Sequence, residues 1–348
     1  MTKLSKNNLV RLLSIDDKSE IEKLFDQAQQ LKWLKSDNKV NLRALIELSN
    51  ICTQNCLYCG IRKDSNIERF TLTKEDVINY FKNALKYNIT SLVIQSGERK
   101  DEDFVSYIED LIRSLMSLNS EIRITLSLGE QSKETYKRWY EAGARRYLLR
   151  IETTNRNLFD AIHRGCSVYE EKVKCLRFLR ETGYQVGTGV MIGLPGQTIE
   201  DLACDLLFYK TIDADMIGMG PYIPHFGTPL GKDFIQSFDA QAKSNLVNLS
   251  LKMIACCRLL LENVNIASTT ALNTLDPEGF IKGIRAGANV VMPNFTELKY
   301  KKSYQLYEGK SGLTEFTLPE LERKLALIGE TINYSDFGDS LHFIKKQT

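Results

Sequence analysis

The chain has 348 residues, 43% hydrophobic and 26% charged with 7 prolines, a composition that excludes a disordered or fibrous protein and suits one large globular domain. Its formal net charge of +2 suggests neither a nucleic-acid partner nor a membrane surface. No apolar run approaches membrane-spanning length, and Lys3, Lys6, Asn7, Asn8 and Arg11 make the first residues too polar for a secretory core, so the expected location is cytoplasmic, where thiols stay reduced.

Ile21, Leu24, Phe25, Ala28, Leu31 and Leu34 recur at three- and four-residue steps, which predicts an amphipathic helix that caps the main domain. From about residue 42, strand-like apolar runs alternate with helical segments: Arg43–Leu48, Ser91–Gln95, Arg123–Leu128, Arg146–Ile151, Gln185–Ile192, Asp215–Gly218, Asn265–Ala267 and Ala288–Met292. Such units predict an α/β fold, a (β/α)8 TIM-type barrel with an N-terminal helical extension and a short C-terminal helical tail. Thr73-x-x-Asp76 and Thr198-x-x-Asp201 each precede an apolar helical pattern and read as capping boxes with Asp in place of Glu. Leu318, Leu321, Leu325 and Ile328, followed by Gly329, predict a final short helix with a glycine stop. The expected division is an extension over 1–41, the barrel over 42–295 and a C-terminal extension over 296–348 packing on it.

Just after the first barrel strand, Cys52, Cys56 and Cys59 stand in Cys-x3-Cys-x2-Cys spacing. A loop with thiols at these intervals can wrap an iron–sulfur cubane, each sulfur reaching one iron and the fourth iron taking a non-protein ligand. Tyr58 sits where an aromatic can shield the cluster. Zinc is the rival metal, but a structural zinc site wants four protein ligands and no fourth lies nearby. Buried unreactive thiols are the remaining reading. Cys175, Cys204, Cys256 and Cys257 fall in helical apolar patterns and are expected to pack as small hydrophobes; Cys166, in the loop His163-Arg164-Gly165-Cys166-Ser167, is also expected to be structural.

In a barrel of parallel strands, residues just past the strand ends converge on one mouth. The cysteine loop would meet Ser96-Gly97-Glu98 there, with Thr125, Ser127, Glu130, Arg150 and Glu152, Gly193-Leu194-Pro195-Gly196-Gln197-Thr198, Pro221-Tyr222-Ile223-Pro224-His225, Ser268-Thr269-Thr270 and Met292-Pro293-Asn294. Arg150 and Glu152 alternate on one strand face, as a barrel-floor salt bridge or as a clamp for a zwitterionic ligand; their place at the strand's end favours the clamp. His225 reads as a satisfied structural histidine.

The cysteine spacing, with Tyr58 before the last cysteine, resembles the signature of the radical S-adenosylmethionine (SAM) enzymes. Further strings, Gln95-Ser96-Gly97-Glu98, Thr125-Leu126-Ser127-Leu128-Gly129-Glu130, Tyr147-Leu148-Leu149-Arg150-Ile151-Glu152-Thr153, Gly218-Met219-Gly220-Pro221-Tyr222-Ile223-Pro224-His225 and Gly287-Ala288-Asn289-Val290-Val291-Met292-Pro293-Asn294, together resemble the FeFe-hydrogenase maturase family HydE, with methylornithine synthase and biotin synthase as more distant relatives. The resemblance implies a 4Fe-4S cluster on Cys52, Cys56 and Cys59, with SAM on the open iron and reductively cleaved to a 5'-deoxyadenosyl radical. It assigns Tyr58, Gln95, Ser96, Gly97, Glu98, Thr125, Ser127, Arg150, Glu152, Lys172 and Met216 to the cofactor cavity. Thr269, Thr270, Met292, Tyr304 and Tyr307 would line its far side, the two tyrosines on one helix face. Lys172 stands where the family usually carries an arginine for the SAM carboxylate. No cysteine follows Cys257, so one cluster is expected. The implied partners are a small-molecule or organometallic, sulfur-bearing substrate, an electron donor and other hydrogenase maturation proteins. A radical SAM mutase or sulfur-inserting enzyme is the alternative, and a non-catalytic iron–sulfur carrier a third reading.

Overall fold

The computed structural model describes residues 4–310, 318–334 and 336–347, so parts of both expected extensions lie outside the described residues. Its strands are β1 (Lys39–Leu42), β2 (Ala44–Ser49), β3 (Ser91–Ser96), β4 (Arg123–Ser127), β5 (Arg146–Leu148), β6 (Gln185–Thr188), β7 (Met191–Ile192), β8 (Met216–Ile217), β9 (Gly220–Pro221), β10 (Asn265–Ile266), β11 (Val290–Val291) and β12 (Thr331–Asn333).

Seven of them form one parallel sheet in the order β10-β8-β6-β5-β4-β3-β2. Registers such as Val93 opposite Thr125 and Gly187 opposite Met216 keep the strand ends at a common mouth. This open, curled sheet corrects the expectation of a closed eight-stranded barrel. The eighth run forms the two-residue β11, which pairs with β1 in a separate sheet, β11-β1-β12. Only isolated parallel bridges, Ala267 to Val290 and Leu45 to Asn294, join it to the edges of the large sheet. At this seam a side chain supplements two backbone bonds, Asn289 N–H to the Ile266 carbonyl and Ser268 N–H to the Val290 carbonyl, each at 2.9 Å. Asn289 Oδ1 accepts from the Ile266 N–H at 2.8 Å, and its Nδ2 donates to Asn265 Oδ1 at 2.9 Å.

The expected strand over Gln185–Ile192 is broken at Gly189, where a Cβ would stand 2.1 Å from the Gly218 carbonyl oxygen. Its second half, β7, pairs with β9 instead. Alternation sorts the strand residues. Ala44, Ile46, Leu48, Leu92, Ile94, Ile124 and Leu126 point outward into the core shared with the helices, whereas Leu45, Val93, Gln95 and Ser127 line the interior cavity.

Thr73 and Thr198 cap the helices Lys74–Leu85 and Ile199–Thr211, each in a reciprocated capping box with Asp76 or Asp201. The N-terminal helix Lys18–Ser36 packs on helix Ala240–Leu260, burying Leu24, Phe25, Ala28 and Leu31. Its buried face departs from the expected stripe: Leu34 is exposed, and Lys32 is buried, paired with Glu330 and donating to the Ile284 carbonyl at 2.8 Å. The tail helix Leu318–Ala326 ends near Gly329 at φ 74, yet it is not the final element. Strand β12 pairs with β1, Phe337 to Ser340 crosses beneath the sheet, and helix Leu341–Gln347 closes the described chain.

Candidate functional site

The cysteine loop has no regular secondary structure between β2 and residue 73, so its carbonyls need partners from elsewhere. Arg69 supplies them. Its Nη1 donates to the carbonyls of Asn50 and Ile61 at 2.6 and 2.8 Å, and its Nη2 to those of Arg62, Lys63 and Ser65 at 2.6, 3.1 and 3.0 Å. The Asn50 amide clamps the loop's return to the C-terminal region, donating to the Glu68 and Ser303 carbonyls at 2.7 Å each. Gly97 lets β3 approach it: a Cβ there would lie 2.4 Å from the Ile51 carbonyl oxygen and 2.7 Å from Cys52 Cβ.

Cys52, Cys56 and Cys59 all face one cavity of ≈ 310 Å³, a size that admits a small ligand. The N–H groups of Gln54 and Glu98 point at Cys52 Sγ, each at 3.4 Å. Burial raises the Cys52 thiol and pushes Cys59 up to about 12. Cys56 is raised by its contact with Cys166 and by burial, and the same contact lowers Cys166, the less buried partner. Among the described residues no three His, Cys, Asp or Glu side chains converge on a single ion. A cubane takes one thiolate per iron, so three thiols facing one cavity fit it.

Tyr58, Gln95, Ser96, Gly97, Glu98, Ser127, Arg150, Glu152, Lys172, Thr269, Thr270, Met292, Tyr304 and Tyr307 line this same cavity. Thr125 and Met216 do not. They border a smaller recess of ≈ 30 Å³ deeper in the sheet, beside Arg43, whose Nη1 points at Met216 Sδ at 3.0 Å. Tyr304 and Tyr307 do not share a helix face, because the helix Leu298–Ser303 ends before them and both reach the cavity from the following turn.

Arg150 Nη2 lies 2.9 Å from Glu152 Oε2 and donates to the Val190 carbonyl at 2.9 Å. Strand β5 stops at Leu148, and Glu152 adopts φ 67, a conformation that costs a non-glycine residue about 1 kcal/mol or more. Two cross-strand bonds hold it there: its N–H donates to Gly189 O at 3.0 Å, and its carbonyl accepts from Met191 N–H at 2.9 Å. The pair is not saturated. Arg150 Nε and the Tyr222 hydroxyl are buried without a hydrogen-bond partner, as is Thr125 Oγ1 in the recess, and buried Glu152 Oε2 has its ion-pair contact with Arg150 alone.

Other polar groups at the mouth are already engaged by the protein. The Glu98 carboxylate accepts from Gln54 Nε2 at 2.6 Å and from the Glu130 N–H at 2.8 Å. Lys172 Nζ lies 3.5 Å from Glu130 Oε1 and faces the Phe159 ring. In the Gly193–Thr198 turn, Gln197 Oε1 accepts from the Gly193 and Leu194 N–H groups at 2.8 and 3.2 Å, and none of the six residues lines the cavity. His225 is a local brace whose Nδ1 accepts from the Gly227 N–H at 2.9 Å. Cys175, Cys256 and Cys257 are buried in helices and Cys204 is half-buried.

Sequence reasoning missed His163, whose Nε2 lies 3.1 Å from the Tyr58 hydroxyl; burial, helped by Lys172, lowers it to about 3 and keeps it neutral. It also missed Lys310, which lines the cavity, pairs with the buried Glu47 and lies over the Tyr304 ring. Neither carries a sequence signal, since each is placed by contacts remote in the chain.

The family model described as the Radical SAM superfamily matches residues 46–207. The chain is 43% identical over 304 residues to the [FeFe] hydrogenase maturase subunit HydE of Thermotoga maritima, covering 87% of this chain and 83% of that protein. The chain belongs to the radical SAM superfamily. It is also 27% identical over 309 residues to 3-methylornithine synthase of Methanosarcina acetivorans, covering 86% and 83% of the two chains. The crystal structure of methylornithine synthase (PylB) superposes with a TM-score of 0.81 at 25% identity, over 95% of this chain and 94% of that one. Membership makes this radical SAM protein an enzyme and implies a 4Fe-4S cluster and SAM as its cofactors. No helix among the described residues is long and apolar enough to cross a membrane.

Proposed function

We propose that Cys52, Cys56 and Cys59 hold one 4Fe-4S cluster and that the cavity they face binds SAM and a small organic substrate. When bound, a reduced cluster would supply one electron to the SAM sulfonium, whose C–S bond would break to give methionine and a 5'-deoxyadenosyl radical. The observation that carries the reading is the sharing of one cavity by three thiols and the half-satisfied Arg150–Glu152 pair. A zwitterion seated beside the Arg150–Glu152 pair would give Arg150 Nε the carboxylate it lacks and set its ammonium against the Glu152 carboxylate. Lys172 adds a second cation near the mouth, and Tyr58 shields the thiols. Gln95, Ser96, Gly97, Glu98 and Ser127 complete the wall on the β3 and β4 side. Thr269, Thr270, Met292, Tyr304 and Tyr307 would enclose the substrate, with Thr125 and Met216 at the deep end. In this reading residues 42–295 are the catalytic domain, and 1–41 and 296–348 are extensions.

Two reaction classes follow. Radical rearrangement of an amino acid, or sulfur insertion of the biotin synthase type, is supported by the match to methylornithine synthase along nearly the whole chain and by the opposed charges of Arg150 and Glu152. Action on a sulfur-bearing substrate in hydrogenase maturation, beside other maturation proteins and an electron donor, is supported by the 43% identity to HydE. Anaerobic reconstitution should give about four irons per chain. Cys52→Ala, Cys56→Ala or Cys59→Ala should abolish 5'-deoxyadenosine formation, and full retention by any of them would refute the cluster assignment. Restoration of FeFe-hydrogenase activity in a host lacking its own HydE assigns maturation; SAM cleavage without rescue, from soluble protein, assigns the other class.

A further inference from the structure

Cys166 lies outside the cysteine motif and 110 residues from Cys56 in sequence, yet their sulfurs stand 3.9 Å apart. The fold pins both flanks of this contact. Leu57 N–H donates to the Ile162 carbonyl at 2.9 Å, tying the cysteine loop to the end of helix Arg156–Ile162, and Cys166 N–H donates to the His163 carbonyl at 3.0 Å. Tyr58 and His163 add a second tie at 3.1 Å. A disulfide needs a sulfur separation of about 2.05 Å, so the closure required is about 2 Å, within reach of side-chain rotation and a small loop shift. Room exists on the Cys166 side, because a Cβ added at Gly165 would meet nothing within 4 Å.

We propose that Cys56 and Cys166 form a reversible disulfide in the cluster-free chain, a modification site that withholds one cluster ligand until it is reduced. The oxidant class is a small-molecule disulfide such as oxidised glutathione. One thiol, losing its proton, attacks the glutathione disulfide, forming a mixed disulfide and expelling one glutathione thiolate. The second thiol, also deprotonated, displaces the other glutathione, so the Sγ–Sγ bond replaces the glutathione disulfide bond. Two electrons and two protons leave with the two reduced glutathiones. The consequence for loading rests on Cys56 as a cluster ligand, whereas formation of the bond does not.

The test uses the full-length cluster-free protein, treated anaerobically with oxidised glutathione, alkylated and digested without reduction. Mass spectrometry should find peptides joined through Cys56 and Cys166, and iron uptake during reconstitution should be slowed severalfold until dithiothreitol is added. Cys166→Ser, with Cys166→Ala as a second variant, should lose the joined peptides and take up iron equally fast with or without prior oxidant. Mixed glutathione adducts alone, a bond from Cys56 to Cys52 or Cys59 instead, or unchanged oxidant sensitivity in both variants would overturn the proposal. Joined peptides together with failure of the reduced protein to load iron would leave the disulfide standing and remove the cluster assignment.

Discussion

Arg146 and Arg150 lie four residues apart, at opposite ends of the curled sheet, and they are treated oppositely. At the closed end, every donor group of Arg146 is engaged: Nε with Asp339 Oδ1 at 3.1 Å, Nη1 with Ser91 Oγ at 2.6 Å, and Nη2 with the Phe337 carbonyl at 2.6 Å. Burial lowers the Arg146 pKa while Asp339 opposes it. The Asp339 carboxyl, although burial alone would raise it, is held below its usual range by Arg146 and Gln185. At the open end, Arg150 keeps a buried Nε without a partner, while Glu152 Oε2 is held by the Arg150 Nη2 contact alone. The salt bridge that closes the floor is thus Arg146–Asp339, and Arg150, on the cavity wall, is left with a free donor.

This contrast sets the size of each expected effect. Arg146→Ala should leave Asp339 with only Arg123 and Gln185, remove the donors to Ser91 Oγ and the Phe337 carbonyl, and cost about 3 kcal/mol, read as a lower urea midpoint. Arg150→Ala should cost less than about 1 kcal/mol by the same measurement, since the pair it breaks is partly exposed and incomplete. Equal losses from the two would erase the distinction between the ends. Glu152→Gln should instead weaken SAM binding by about 2 kcal/mol or more in calorimetry with iron content intact; unchanged affinity here and in Arg150→Ala would make the upper pair structural too. Glu152→Gly removes the clamp and the strained backbone together. Its stability should be unchanged or higher by up to about 1 kcal/mol while SAM affinity falls, and marked destabilisation would count against strain at the site.

A pH-dependent effect concerns Asp205, which accepts from the Thr154 N–H at 2.7 Å beneath the Glu152 turn. Burial raises its pKa from 3.8 to about 7 against the opposing Thr154 bonds. The folded chain therefore keeps a proton that the unfolded chain releases, and this contribution is fullest below 3.8 and lost as pH rises to about 7. Asp205→Asn should gain stability relative to the native chain across that window, with the difference level above it. A difference independent of pH would show that the carboxyl titrates normally.

All eight barrel runs appear as strands because apolar alternation and capping are local. Closure was not legible, since whether Val290 joins Ala267 or β1 depends on partners far along the chain. Lys39–Leu42 and Thr331–Asn333 are too short and polar to announce themselves; they become strands by pairing with each other, and the first also with β11. The cysteines and the Arg150–Glu152 pair were readable from spacing. The depth of Thr125 and Met216 was not, because depth follows from strand tilt and stagger. Arg69, between Glu68 and Phe70, looks in sequence like any surface arginine.

Those five hydrogen bonds from Arg69 have an entropic meaning. A ligand loop without such a tether would sample many shapes and lose that freedom only when iron arrived, weakening each capture by the entropy of ordering. Here the ordering takes place as the chain folds. In the proposed reading the loop would meet incoming iron already shaped, so less ordering entropy would oppose each capture.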